Sequence, residues 1–159
     1  MITLLIPTDF NVKTLSCIPN LLQRLYLHKV SIILVHMLKI TNNTHELFML
    51  SKRSAEHQHI SAAFNDACAK IKRKYADSLP NLRIEFFYGS TLAVFKNYLN
   101  TNEVHSIVML ENYPYGMLHK NSINPSVMVK RSGINIITID YMDIRNEPVN
   151  KENILAEAV

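Results

Sequence analysis

Glycine is scarce in this chain. Three occur in 159 residues, at positions 89, 116 and 133. No two lie close enough to build a glycine-rich loop of the kind that lets a backbone close on a phosphate. Cysteine is as sparse. Cys17 and Cys68 lie far apart and without Cys-x-x-Cys spacing, which argues against a disulfide framework or a zinc site and fits a reducing compartment. Long hydrophobic runs are missing too: none approaches the ~20 residues of a membrane span. Residues 1–7 have no basic n-region and are too short for a secretory signal. The expectation is a cytoplasmic protein with no membrane partner.

Charge of either sign is modest. Lys and Arg number 17 and Asp and Glu 13, for a net charge of +4. That falls short of the clustered basic footprint of a nucleic-acid binder, so no nucleic acid is expected as a partner. The densest basic run, Lys70, Lys72, Arg73 and Lys74, reads as the solvated face of a helix.

Apolar residues, by contrast, are plentiful and patterned. Five runs of strand length stand out: Ile2–Pro7, Val30–His36, Leu82–Tyr88, Ser106–Leu110 and Ile134–Ile139. They are rich in β-branched residues. Ile32–Val35 and Ile107–Leu110 are apolar on both faces, as suits central strands covered by helices on both sides. Leu82–Phe86 alternates apolar and charged, which predicts one face in water.

Helical patterns separate the strands. Leu15, Ile18, Leu22 and Leu25 share a face; Pro19 implies either a kink or a helix that begins just before it. Ile60, Phe64, Ala67, Ile71 and Tyr75 form a second stripe within a helical region spanning about 44–79. A third helix opens at Gly89-Ser90, with Ser90 a candidate N-cap. In the fourth, Asn124 can cap, Pro125 suits the first helical position and Gly133 suits a left-handed stop. Beyond Asp140 the signals are weak, with a final turn at 154–158. Strand–helix alternation predicts one α/β domain with a parallel sheet over residues 1–140 and a C-terminal tail over 141–159.

Side chains that carry chemistry do not gather in the sequence. Seven histidines invite a metal. Yet His57 and His59 point apart on a helix, His45 is remote, and no Cys or paired carboxylate stands at ligand spacing. No metal site is expected. His36, at a strand end, reads as a hydrogen-bonded structural imidazole. There is no Gly-x-Ser-x-Gly elbow, and both cysteines read as packing residues. Tyr113 and Tyr115 flank Pro114 in the loop after the fourth strand, where they either stack on a planar ligand or partner or simply shape the loop.

Three stretches stand out together: Leu5-Ile6-Pro7-Thr8-Asp9-Phe10-Asn11, Leu34-Val35-His36-Met37 and Ser106-Ile107-Val108-Met109. In that order they resemble the first strand with its acidic turn, the second strand and the fourth strand of the universal stress protein family. Gly89 falls where the family often turns after strand three. The order of elements matches over about residues 1–140. The resemblance implies an open five-stranded parallel sheet of order 3-2-1-4-5 flanked by helices, of the adenine-nucleotide-alpha-hydrolase-like, Rossmann-like kind. It also implies a homodimer.

Some members of that family bind ATP through Gly-x-x-Gly after strand four and a later Gly-Ser or Gly-Thr. Here Leu110, Tyr113 and Asn121 stand where those glycines would be. The spacing is about two residues short, Glu111 adds a negative charge, and only Ser122 keeps the family type. Gly116 reads as a lone glycine serving a turn with Pro114. Asp9 and Met37 match positions beside the nucleoside and base, which with Ser122 makes them candidate cofactor-binding positions. Pro7, Leu110, Tyr113 and Gly116 belong to the same pocket or loop. Asp9 also reads as an anion favouring a helix N-terminus; the two readings are compatible.

The expectation is therefore a non-catalytic stress-response or regulatory module with no catalytic residues and no cofactor, ATP and AMP being disfavoured. It would pair as a homodimer through the edge strand 134–139, with a further protein partner left open. The alternative is a nucleotide or small-ligand binding protein with an altered pocket at the carboxyl ends of strands one and four.

Overall fold

The structure is a computed structural model that describes residues 1–39 and 60–146. Its strands are β1 (Ile2–Pro7), β2 (Val30–Leu38), β3 (Asn81–Tyr88), β4 (Ser106–Glu111) and β5 (Asn135–Asp140). The first expected run coincides with β1, and the other four overlap their strands with ends that differ by at most two residues, Ile134 falling just outside β5. The strands pair in parallel in the order β3-β2-β1-β4-β5, as the family resemblance implies.

Burial follows the sequence pattern. Every residue of β2 is buried, because helices cover both faces of the sheet. On one face Leu4, Ile6, Ile32 and Leu34 pack with Phe10, Ile18, Leu21 and Phe64. On the other, Leu5, Ile33 and Val35 pack with Phe95, Leu99 and Val129. Among the described residues no helix is long and apolar enough to cross a membrane.

The helices refine the expected boundaries. A 3-10 segment, Val12–Cys17, leads into α1 (Ile18–Arg24). Of the two readings of Pro19 the second holds: it occupies the first turn of α1, where its missing N–H leaves nothing unpaired. Helix α2 (Ala62–Lys74) is capped by Ser61, whose Oγ accepts the Phe64 N–H at 3.2 Å. Its Lys72, Arg73 and Lys74 are exposed in the last turn, where cations complement the helix dipole. The remainder of the expected helical region, 44–59, lies outside the described residues, as do His45, His57 and His59 and the turn expected at 154–158.

Helix α3 (Leu92–Thr101) is capped by Thr91 rather than Ser90: the Thr91 Oγ1 accepts the Val94 N–H at 3.3 Å. Helix α4 (Ser126–Arg131) starts one residue later than read, with Pro125 itself at the cap position and Asn124 Oδ1 accepting the Ser126 N–H at 3.0 Å. Gly133 adopts the left-handed conformation expected of it, φ 77°. A helix that the sequence pattern did not signal, α5 (Tyr141–Asn146), follows β5 directly. Asp140 Oδ1 accepts the Met142 N–H at 2.9 Å, and Tyr141 and Ile144 pack against the first core.

The face of β3 expected to meet water is half covered. Arg83 Nε donates to Glu85 at 2.6 Å and its Nη2 to Asn102 Oδ1 at 2.7 Å, while the Tyr98 hydroxyl donates to Glu85 Oε2. Tyr98 and Asn102 come from α3 and its C-cap, so the alternating charges on β3 meet polar partners from a helix that periodicity in β3 alone does not reveal.

Candidate functional site

The candidate site forms where β1 and β4 part. Along β1 the N–H groups alternate between neighbours. Those of Ile2 and Thr8 reach carbonyls on the β2 side, Lys29 and Val35, so odd-numbered residues face β4. Pairing with β4 stops at Leu5↔Ile107, and the next odd residue, Pro7, has no N–H to offer. The two strands therefore diverge after Leu5 and leave a crevice at the point where strand order reverses, the usual ligand position in open α/β sheets.

Asp9 sits at the floor of that crevice, 8% exposed. Three protein donors converge on its carboxylate. The Asn11 N–H reaches Oδ1 at 3.1 Å, the Gly116 N–H reaches Oδ2 at 2.8 Å, and the Tyr113 hydroxyl spans both oxygens at 3.0 and 2.8 Å. Hydrogen bonds to an ionised acceptor are among the stronger ones. Gly116 eases this close approach: a Cβ at this position would stand 3.3 Å from Asp9 Oδ2, tighter than ordinary contact. The neighbouring residue, Phe10, takes up the left-handed conformation, φ 59°, uncommon for a bulky side chain. Its ring is fixed against Phe64, Phe86 and His36 at centroid distances of 5.4, 5.3 and 5.5 Å.

The tyrosines of the β4–α4 loop fill the crevice. Tyr113 packs edge-on to Tyr115 and to Tyr141 of α5, at 5.0 and 5.1 Å. The Tyr115 hydroxyl accepts the Leu110 N–H at 3.3 Å. Burial raises the Tyr113 phenol well above its ordinary value, and the hydrogen bond to Asp9 raises it further. Burial likewise pushes Tyr115 up to about 12. Both phenols stay protonated at neutral pH and act as donors or packing groups.

A second contact closes the crevice from the β2 side. His36 Nδ1 lies 2.8 Å from the Thr8 carbonyl and Nε2 lies 2.8 Å from Ser122 Oγ. A carbonyl only accepts, so Nδ1 carries a proton; in the neutral ring Nε2 is then the acceptor for the Ser122 hydroxyl. Ser122 Oγ in turn accepts the His119 N–H at 3.1 Å. A serine on an oriented imidazole is the pairing used in nucleophilic catalysis. Here the neighbouring N–H groups that could hold an oxyanion are committed: Ser122 to His119, Ile123 to Met37, and Asn121 to the His119 ring.

The space left between these groups is about 10 Å³, lined by Pro7, Asp9, His36, Met37, Tyr115 and Gly116 among others. That is the volume of about one water. A larger groove, about 630 Å³, lies elsewhere, between α1, the end of α2 and Ile144 of α5.

The structure thus brings Pro7, Asp9, Met37, Gly116 and Ser122 to one place, with Tyr113 bonded to Asp9. Leu110 is 3% exposed, its side chain in the first core. Sequence reasoning missed that Tyr113 and Gly116 serve Asp9 itself and that His36 and Ser122 are partners. The one available signal was the clustering of Tyr, Pro and Gly where a ligand loop would need small residues. Among the described residues no group of three or more His, Cys, Asp or Glu gathers as a metal site.

No protein-family model matches the chain, and no curated protein matches it. Solved structures do. The universal stress protein UspA from Lactobacillus plantarum superposes with a TM-score of 0.52 at 18% identity, covering 87% of this chain and 97% of that one. The hypothetical protein MJ0577 superposes with a TM-score of 0.52 at 15% identity, covering 87% of this chain and 95% of that one. At such identities the likeness is one of fold: the chain has the open parallel α/β fold of universal stress proteins.

Proposed function

We propose that this chain is a non-catalytic regulatory or stress-response module of the universal stress protein type, one that does not take up ATP through a glycine loop. The observation that carries the reading is the occupied Asp9 carboxylate. Its acceptor sites are met by Asn11, Tyr113 and Gly116, and about 10 Å³ remains beside it, against the ~300–1,000 Å³ of ordinary ligand sites. By the family resemblance, Leu110 and Tyr113 take the places of glycines in a phosphate loop. Commitment of the N–H groups around Ser122 supports the non-catalytic part. The two buried free thiols suit the reducing cytoplasm as its location.

The module acts as a homodimer paired through β5. The sheet has two edges, β3 and β5. Edge β3 carries the Arg83–Glu85 pair, a charge arrangement that discourages strand addition. Edge β5 presents Ile136, Ile137 and Thr138 only half-buried or exposed, and an isologous pairing would cover them.

Calorimetric titration with ATP and with AMP, together with light scattering at micromolar concentration, tests both parts. The expected results are no heat, no melting shift and a dimer mass. Heat on nucleotide addition would favour the alternative of an altered pocket containing Asp9, Met37 and Ser122, and a monomer throughout would remove the β5 pairing.

A further inference from the structure

The geometry points to a gating role for residues 112–118: they are a strap, an intramolecular occupant of the crevice that lifts as a unit while the rest of the fold stays closed. This rests on the reading of the crevice as capped from within.

The loop between β4 and α4 divides into two unlike halves. The second half is stitched to β2 by backbone hydrogen bonds, Lys39 N–H to the Asn121 carbonyl at 2.8 Å and Ile123 N–H to the Met37 carbonyl at 2.9 Å, with a bridge between Leu38 and Ser122. The first half has none of this. Among the described residues, no backbone–backbone hydrogen bond ties any of residues 112–118 to the sheet.

What holds the strap is side-chain hydrogen bonding and ring contact, together with Tyr113, Tyr115 and Leu118 half-buried against the first core. Tyr113 and Gly116 reach Asp9, Tyr115 reaches Leu110, and rings of Tyr113, Tyr115 and Tyr141 meet edge-on. Its outer side is solvent: Pro114 and Gly116 are exposed and Met117 is 69% exposed. Its ends are fixed. Asn112 sits in the left-handed region at φ 60° with its amide on Asp140, and the turn between His119 and Ser122 closes the other end. A segment with fixed ends, few backbone bonds and an exposed outer face belongs to the low-stability end of a structure and opens separately from the core. Lifting it uncovers Asp9 and leaves the His36–Ser122 contact in place.

Amide hydrogen exchange on the full chain under native conditions tests this. The Gly116 N–H is expected to exchange at least about 100-fold faster than the ladder amides of Ile33 and Leu34, with little dependence on sub-denaturing urea. Leu99→Ala, deep in the core on the opposite face, is expected to speed Ile33 and Leu34 about 30-fold or more and to leave Gly116 unchanged. Val129→Ala serves if Leu99→Ala does not fold. A Gly116 amide that exchanges at the core rate and accelerates with the core substitution overturns the strap. The measurement uses no ligand, so its failure is separate from the outcome of the nucleotide titration.

Discussion

Replacing Tyr113 with Phe removes one hydroxyl and keeps the ring. The hydroxyl donates to a buried carboxylate at 2.8 Å, and hydrogen bonds to charged groups contribute about 1.5–3 kcal/mol. Tyr113 is half-buried, so solvent takes part of the role when the bond is lost, and the lower end applies, about 1–2 kcal/mol. For a chain of this length each kcal/mol moves the melting temperature by about 2–4 °C. Tyr113→Phe should therefore melt about 2–8 °C below the parent at pH 7. The pH dependence follows from the raised phenol. In the unfolded chain the phenol ionises near pH 10, and in the folded chain only at higher pH. The contribution of Tyr113 is complete below about pH 10 and declines as pH rises past it, because the unfolded state gains by ionising first. Melts of parent and variant between pH 7 and 11 should run parallel up to about pH 10 and then converge. Identical melting at pH 7, or a gap that widens in alkali, would refute the assignment of Tyr113 as a donor to Asp9.

Ser122→Ala deprives both His36 Nε2 and the His119 N–H of a partner, and should lower unfolding free energy by about 2 kcal/mol in urea titration; a loss under about 0.5 kcal/mol would show that the pair is not structural. Gly116→Ala and Gly133→Ala should each cost about 1 kcal/mol for different reasons, a tight contact with Asp9 in the first and a left-handed backbone in the second. In an Asp9→Ala background the first penalty should shrink and the second should persist, which a double-mutant cycle resolves. Burial pushes the Cys17 thiol up to about 12, and the residue is 0% exposed, so a thiol reagent at pH 8 should label it only at the rate of global unfolding. Labelling within the mixing time would contradict its place in the core.

Much of the fold was legible because burial writes itself into strand sequences. Ile32–Val35 and Ile107–Leu110 are apolar on both faces only because helices lie above and below, and that alone places them centrally. Caps were legible to within a residue, since Thr91 and Ser90 are equally able to accept an N–H and only the loop path chooses between them. Helix α5 was not legible: Tyr141-Met142-Asp143-Ile144 is too short to show a period, and its stability comes from Tyr141 and Ile144 against the core. At the site, the lack of a glycine-rich loop was evident, while the partners of the side chains there were not. Tyr113 lies 104 residues from Asp9 along the chain and Ser122 lies 86 from His36, and no local pattern encodes a contact at that separation. Gly116 illustrates the gap best. Beside Pro114 it looks like a turn residue, and its purpose becomes visible only when Asp9 is found against it.

The donors on Asp9 belong to the same chain as their acceptor, so dilution does not weaken them. They compete at an effective concentration set by their tether, of millimolar order for a short flexible link. Any outside molecule directed at Asp9 competes with that fixed local supply and binds only the fraction of chains whose carboxylate is free. Were that fraction about one in a thousand, an intrinsic dissociation constant of about 1 μM would read as about 1 mM. A compound screen against the parent chain would then rank genuine binders as inactive, and a loosened variant such as Tyr113→Phe is the better bait.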